Sequence, residues 1–125
     1  MDEGLNSLLE TETIKERYPG FDVSANTPKG VAAFMKGDKS IRRPIMASAD
    51  NQGADYGNNG YDKPAAAMSL LRETVMGPEL FDKAFKEYST RWAFKHPKAG
   101  DFFRTMEDAS AVDLDWFWRG WFFGT

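Results

Sequence analysis

The chain has 125 residues, 42% of them hydrophobic, with a formal net charge of −3. That suffices for one domain with a sizeable core and no more, and its acids and bases are interspersed, without the basic stripe that nucleic acid requires. Ten Phe, four Trp and four Tyr exclude a disordered tail over most of the length, and the absence of cysteine excludes disulfides, thiolate metal sites and cysteine nucleophiles.

Residues 2 to about 18 are expected to form a helix, because Leu5, Leu8 and Leu9 fall at i, i+3 and i+4, with Ile14 and Tyr18 one turn apart. "MDEGLNSLLE" has no positive leader and no apolar run of a secretion signal. "YPGFD" ends this helix, since neither Pro19 nor Gly20 continues one comfortably. In "NTPKGVAAFMKG", Thr27 is the expected N-cap and Pro28 the first helical residue, with Gly37 as the stop. Residues 37 to 60 carry no sustained period and are expected to form a long functional loop; within it, "GNNG" (57–60) has the chemistry of a turn that tolerates positive φ. A helix follows from about Asp62 to Met76, with Pro64 in its first turn and Gly77 as terminator. From Pro78 onward, Phe81, Ala84, Phe85, Tyr88 and Trp92 draw a clean amphipathic stripe. A shorter helix carries Phe102, Phe103 and Met106, and the last begins near Asp113, read as its N-cap. No strand pattern of useful length and no repeat occurs. The expected class is all-α, an irregular bundle of about five to six helices in one subdomain spanning 1–125. No apolar run approaches the ~20 residues needed to cross a bilayer.

Few residues could carry chemistry. His96 is the single histidine, so no H-E-x-x-H and no two-histidine metal site can be built from this chain alone; set in "FKHPKAG", it reads as a surface or capping residue. The aromatic stripes read as core, and a sugar-stacking platform of Trp116, Trp118 and Trp121 fits poorly, because those three point in different directions on a helix. Tyr61 follows the glycine-rich stretch directly before a helix. Such a tyrosine is more often a packing residue, but with an ordinary pKa of about 10 its phenol could also donate a hydrogen bond to an oxyanion. Tyr56, five residues earlier, is equally open. Glu3 and Glu10 are seven apart and so share one face of the first helix, which by spacing alone is a solvated acidic face together with Asp2 and Glu12.

Two stretches, taken in order, resemble the gluzincin zinc aminopeptidases. "MDEGLNSLLE" is similar to the segment that follows H-E-x-x-H in that family and supplies the third zinc ligand from an (Asn/Asp)-Glu-Gly turn, which falls here on Glu3 in Asp2-Glu3-Gly4. "YGNNGYDKPAAAMSLLRETVMG" is similar to the Tyr-x-Lys-(Gly) segment, whose tyrosine stabilises the tetrahedral intermediate. That role falls on Tyr61, and Tyr56 matches a further tyrosine that some members carry near the substrate. "EYSTRWAFKHPKAGDFFRTMEDASAVDLDWFWRGWF" resembles the end of the helical catalytic subdomain of bacterial members. Pro64 stands where many members have Gly, and Asp2 where Asn is commoner; the H-E-x-x-H helix and the residues that grip a substrate's free amine have no counterpart here.

The resemblance implies the C-terminal helical portion of a peptidase catalytic domain, with Met1 an interior residue of a longer protein or an artificial boundary. It implies a peptide substrate and a Zn²⁺ held by Glu3 with two upstream histidines, an upstream Glu as general base, Tyr61 as the oxyanion donor, and Glu10 as a carboxylate orienting a zinc histidine. The expected partner is the missing N-terminal half of the domain. Alone, the chain is expected to be inactive and to bind no zinc tightly, since one carboxylate makes no zinc site. The rival expectation is a stand-alone helical binding or scaffolding module without catalysis, using the 37–60 loop.

Overall fold

A computed structural model describes all residues, 1–125. It contains six α-helices and no strand: α1 (Asp2–Arg17), α2 (Pro28–Lys36), α3 (Lys63–Leu70), α4 (Pro78–Trp92), α5 (Ala99–Ser110) and α6 (Asp115–Trp118). Wider, π-helical turns lead into α3 (Asn58–Asp62) and out of it (Leu71–Met76), and another (Arg119–Phe123) extends α6. The all-α expectation holds, and no helix is long and apolar enough to cross a membrane.

The helix ends follow local chemistry. Asp2 and Glu3 lie in the first turn of α1 and Lys15 and Arg17 in its last, each sign facing the favourable end of the helix dipole. Thr27 caps α2 as expected, its hydroxyl accepting the Gly30 N–H at 3.1 Å, with Pro28 at the first position. Between α3 and α4 the chain turns at Gly77, whose φ of +84° only glycine adopts cheaply. The start of α5 is closed by the Lys98 N–H donating to Asp101 at 2.8 Å. At the start of α6 the expected cap shifts by a residue. Leu114 is the N-cap, its N–H donating to Glu107 at 2.8 Å, while Asp113 accepts from the Asp115 N–H at 3.1 Å.

The core is largely aromatic. Phe81, Ala84, Phe102, Phe103, Met106, Phe117, Trp118 and Phe122 are buried with Ala67, Met68 and Leu71 of the central helical run. Phe103 stacks on Trp118 with centroids 4.6 Å apart, and Phe102 meets Tyr88 edge-on at 4.9 Å. Each such ring contributes roughly 1.5–3 kcal/mol through burial. Of the three late tryptophans only Trp118 is buried, while Trp116 stands exposed, so they form no platform. Helix α3 is enclosed on every side, with Lys63 to Ser69 all buried, and α1 and α2 both pack on it.

Two expectations about the middle of the chain are corrected. "GNNG" is not a positive-φ turn: Gly57 is right-handed helical, at φ −56° and ψ −56°, and the helical run continues from residue 56 to 76. Asn58 and Asn59 favour turns only where their side chains cap a free backbone end; here Asn59 is fully buried and its amide bonds to a different segment. The irregular stretch is therefore shorter than 37–60, and it contains two 3₁₀ turns (Lys39–Ile41 and Ala49–Asn51) and the buried side chains Ile45 and Gln52.

Candidate functional site

The site starts from a glycine. A Cβ placed on Gly4 would lie 2.4 Å from the Pro64 Cβ, 2.5 Å from its Cγ and 2.9 Å from the Ala65 nitrogen, distances that packed carbon atoms do not sustain. Only glycine lets the first turn of α1 press this closely on the start of α3. Asp2-Glu3-Gly4 is thus the opening turn of α1 itself, not a turn leading into it.

That contact sets Glu3, the residue before Gly4, beside Tyr61, three residues before Pro64. Both side chains are half-buried. Loss of water around the Tyr61 phenol, and then the negative charge of Glu3, hold its pKa above the ordinary 10.0. The phenol therefore stays protonated through the neutral range and keeps a proton to donate. No ion pair of the chain engages Glu3, which leaves its carboxylate uncommitted to any cation of this chain. Tyr56 meets Tyr61 edge-on, with ring centroids 5.8 Å apart. A cavity of about 240 Å³ opens next to them, with Glu3, Tyr56 and Gly60 on one side and residues 45–49 and Gln52 on the other.

The structure therefore gathers three residues singled out in the sequence: Glu3, Tyr56 and Tyr61. Glu10 lies further along α1, exposed and in no ion pair. His96 is exposed in the linker between α4 and α5. One other group of acids converges, Glu107, Asp113 and Asp115, with oxygens within 4.8 Å of one another; two of them already cap backbone N–H groups at the start of α6.

Sequence reasoning missed the support behind the cavity. Lys63 is 1% exposed, and its ammonium donates to the carbonyls of Arg43 at 3.3 Å and Gly124 at 3.1 Å. Burial, and then the neighbouring Arg42, push its pKa down to about 8. Asn59 accepts the Arg43 N–H at 2.9 Å and donates to the carbonyls of Ile41 at 2.9 Å and Gln52 at 3.1 Å. The lysine of the Tyr-x-Lys segment was the one available hint.

The model of the peptidase family M1 domain matches residues 1–121. This chain belongs to peptidase family M1. No curated protein and no solved structure matched it. The match covers the M1 chain from α1 to the end of α6, so Glu3, Tyr56 and Tyr61 all fall inside it. Members of the family are generally zinc-dependent peptidases, and the geometry can be tested against that metal. A half-buried carboxylate with no cationic partner is suited to be one zinc ligand, with oxygen–metal distances of about 2.0–2.2 Å. Zinc sites take three or four protein ligands, so Glu3 fits as a contributor and not as a whole site.

Proposed function

We propose that this M1 chain is the C-terminal helical part of the catalytic domain of a zinc-dependent aminopeptidase-like hydrolase. Glu3 is one of three protein ligands to the metal, and two histidines from residues outside these 125 are the others. When bound, zinc supplies Lewis acidity, polarising the scissile carbonyl and acidifying a water.

The chain's own residues do the rest of what is proposed for it. Tyr61 donates its phenolic proton in a hydrogen bond to the oxygen of the scissile carbonyl as negative charge gathers there. A phenol ordinarily ionises near pH 10, so it holds its proton at neutral pH while an anion develops beside it. Tyr56, packed on the Tyr61 ring and partly exposed to the cavity, contacts the substrate and limits the positions the Tyr61 ring can take. Glu10 orients a zinc-bound histidine through a hydrogen bond to the ring's outer nitrogen. The general base and the groups that hold the peptide's free amine come from outside this chain, so these 125 residues alone hydrolyse nothing.

The single observation that carries this reading is the pairing of Glu3 with Tyr61 across the Gly4–Pro64 contact, within a chain that matches the M1 domain over 121 residues. The test uses the complete catalytic domain, zinc content by elemental analysis and hydrolysis of an aminoacyl p-nitroanilide. Glu3→Gln is expected to lose the zinc. Tyr61→Phe is expected to keep it while turnover falls about 10²–10³-fold, the cost of one oxyanion donor. Zinc retained by the first variant, or full turnover in the second, overturns the assignments.

A further inference from the structure

Burying a lysine without a carboxylate is costly, and a second cation beside it, Arg42, raises the cost. The surrounding network is also incompletely satisfied, with Arg42 Nε and Gln52 Oε1 buried and lacking any partner. An apolar residue in the same space would carry no buried charge, but would leave the carbonyls of Arg43 and Gly124 without this donor. A polar cluster kept at such a cost is better explained by the geometry it fixes than by the stability it adds.

That geometry is the wall of the cavity beside Glu3 and Tyr56. The wall is formed by residues 45–49 and Gln52 of the stretch 45–52, whose only regular element is the short 3₁₀ turn Ala49–Asn51. Lys63 grips it just upstream through the Arg43 carbonyl, and grips the C-terminal end of the chain through the Gly124 carbonyl. The C-terminal segment in turn accepts the Met46 N–H on the carbonyl of Phe122 at 3.0 Å. Asn59, on the same helical run, closes the far end through the Gln52 carbonyl. Lys63 lies on the helical run that also carries Tyr56 and Gly60, so one continuous element lines the cavity and holds the stretch opposite.

We propose that Lys63 is a positioning residue, whose ammonium, clamped between the carbonyls of Arg43 and Gly124, fixes the 45–52 wall of the cavity and thereby the space that a substrate side chain enters. It touches no reacting atom. Its effect on hydrolysis rests on the peptidase reading, while its hold on the wall does not.

The test has two arms. In this chain, hydrogen exchange is compared between wild type, Lys63→Met, Lys63→Gln and Lys63→Arg. Lys63→Met leaves two carbonyls unpaired, so the amides of 43–52 should exchange about tenfold faster while those of α4 and α5 stay within about twofold. Lys63→Arg, which keeps the donors, should restore slow exchange, and Lys63→Gln, with one shorter donor arm, should fall between. Should the methionine variant fail to fold, the glutamine variant decides the same question. Equal acceleration in α4 and α5, or none in 43–52, overturns the proposal. In the complete zinc-loaded domain, Lys63→Met should raise KM for an aminoacyl p-nitroanilide about tenfold with kcat nearly unchanged, the signature of lost uniform binding; a fall in kcat at constant KM overturns the positioning role. A wild-type domain that hydrolyses no aminoacyl substrate sinks the peptidase reading, and the exchange arm then decides the hold on the wall by itself.

Discussion

The aromatic region formed by α4, α5 and α6 and the polar region around the cavity are built by opposite means. In the first, Phe81, Phe102, Phe103, Phe117, Trp118 and Phe122 interlock with almost no hydrogen bonding between side chains. In the second, Lys63, Asn59 and Gln52 hold irregular backbone through directed bonds to carbonyls and N–H groups. Apolar packing has no preferred direction and yields stability roughly in proportion to area. Hydrogen bonds to backbone yield little net stability but fix positions to within a few tenths of an ångström. The molecule spends rings where it needs free energy and donors where it needs a shape.

Three outcomes would break or sharpen that contrast. The largest effect is expected at Phe102, which is fully buried and meets Tyr88, Phe85, Phe103 and Trp118. Phe102→Ala should cost about 3–5 kcal/mol of stability in urea unfolding; a cost below about 1 kcal/mol would mean that the aromatic region is not the chief source of stability. A smaller effect is expected from Gly4→Ala, where the new methyl meets Pro64 at 2.4 Å. Overpacking of this kind costs about 1–3 kcal/mol, and because α1 must retreat from α3, Glu3 should move away from Tyr61. Zinc affinity of the complete domain should then fall further than stability alone explains, and an unchanged affinity would uncouple the glycine from the site.

The smallest effect is a pH slope. Lys63 titrates at about 8 in the folded chain against 10.5 in the unfolded one. Between those values the unfolded chain binds the extra proton, so stability contributed by this group rises with pH. Below pH 8 both states are protonated and the penalty of the buried charge is fully present; it is relieved progressively as pH climbs toward 10.5. Tyr61 and Tyr88, both held above 10.0, act in the opposite sense above that pH, since the unfolded phenols ionise first. Urea titrations at pH 7 and pH 9.5 should therefore show wild type gaining on Lys63→Met. Parallel behaviour would mean that burial does not lower the pKa of this ammonium.

The two regions also differ in how far the sequence discloses them. The stripe through Phe81, Ala84, Phe85, Tyr88 and Trp92 recurs at helical spacing, and α4 appears where it predicts. Thr27 before Pro28 declares a helix start through local chemistry alone, and the cap forms. Glu3 and Tyr61 were found through family motifs rather than through any period, and the fold brings them together. Their setting was not legible. "GNNG" carries turn residues, but a buried partner segment turned Asn59 into a cross-brace and drew the helix back to residue 56. A lone lysine reads as a surface residue, and nothing near Lys63 in sequence announces carbonyls that arrive from 20 positions before and 61 positions after it. Gly4 read as part of a turn, because its requirement is set by Pro64, a residue 60 positions away.

The wide turn at Asn58–Asp62 has a consequence for the two tyrosines. On an ordinary α-helix, side chains five positions apart diverge by about 140° around the axis. A coil that bonds each residue to the fifth one back absorbs one spare residue and brings such a pair into line. Tyr56 and Tyr61 are five apart, and their rings meet. Excising a single residue between them would rewind this stretch to the common pitch and leave the pair four positions apart, where the two rings still share one face. It is restoring the common pitch without that deletion that would swing the first ring off the second.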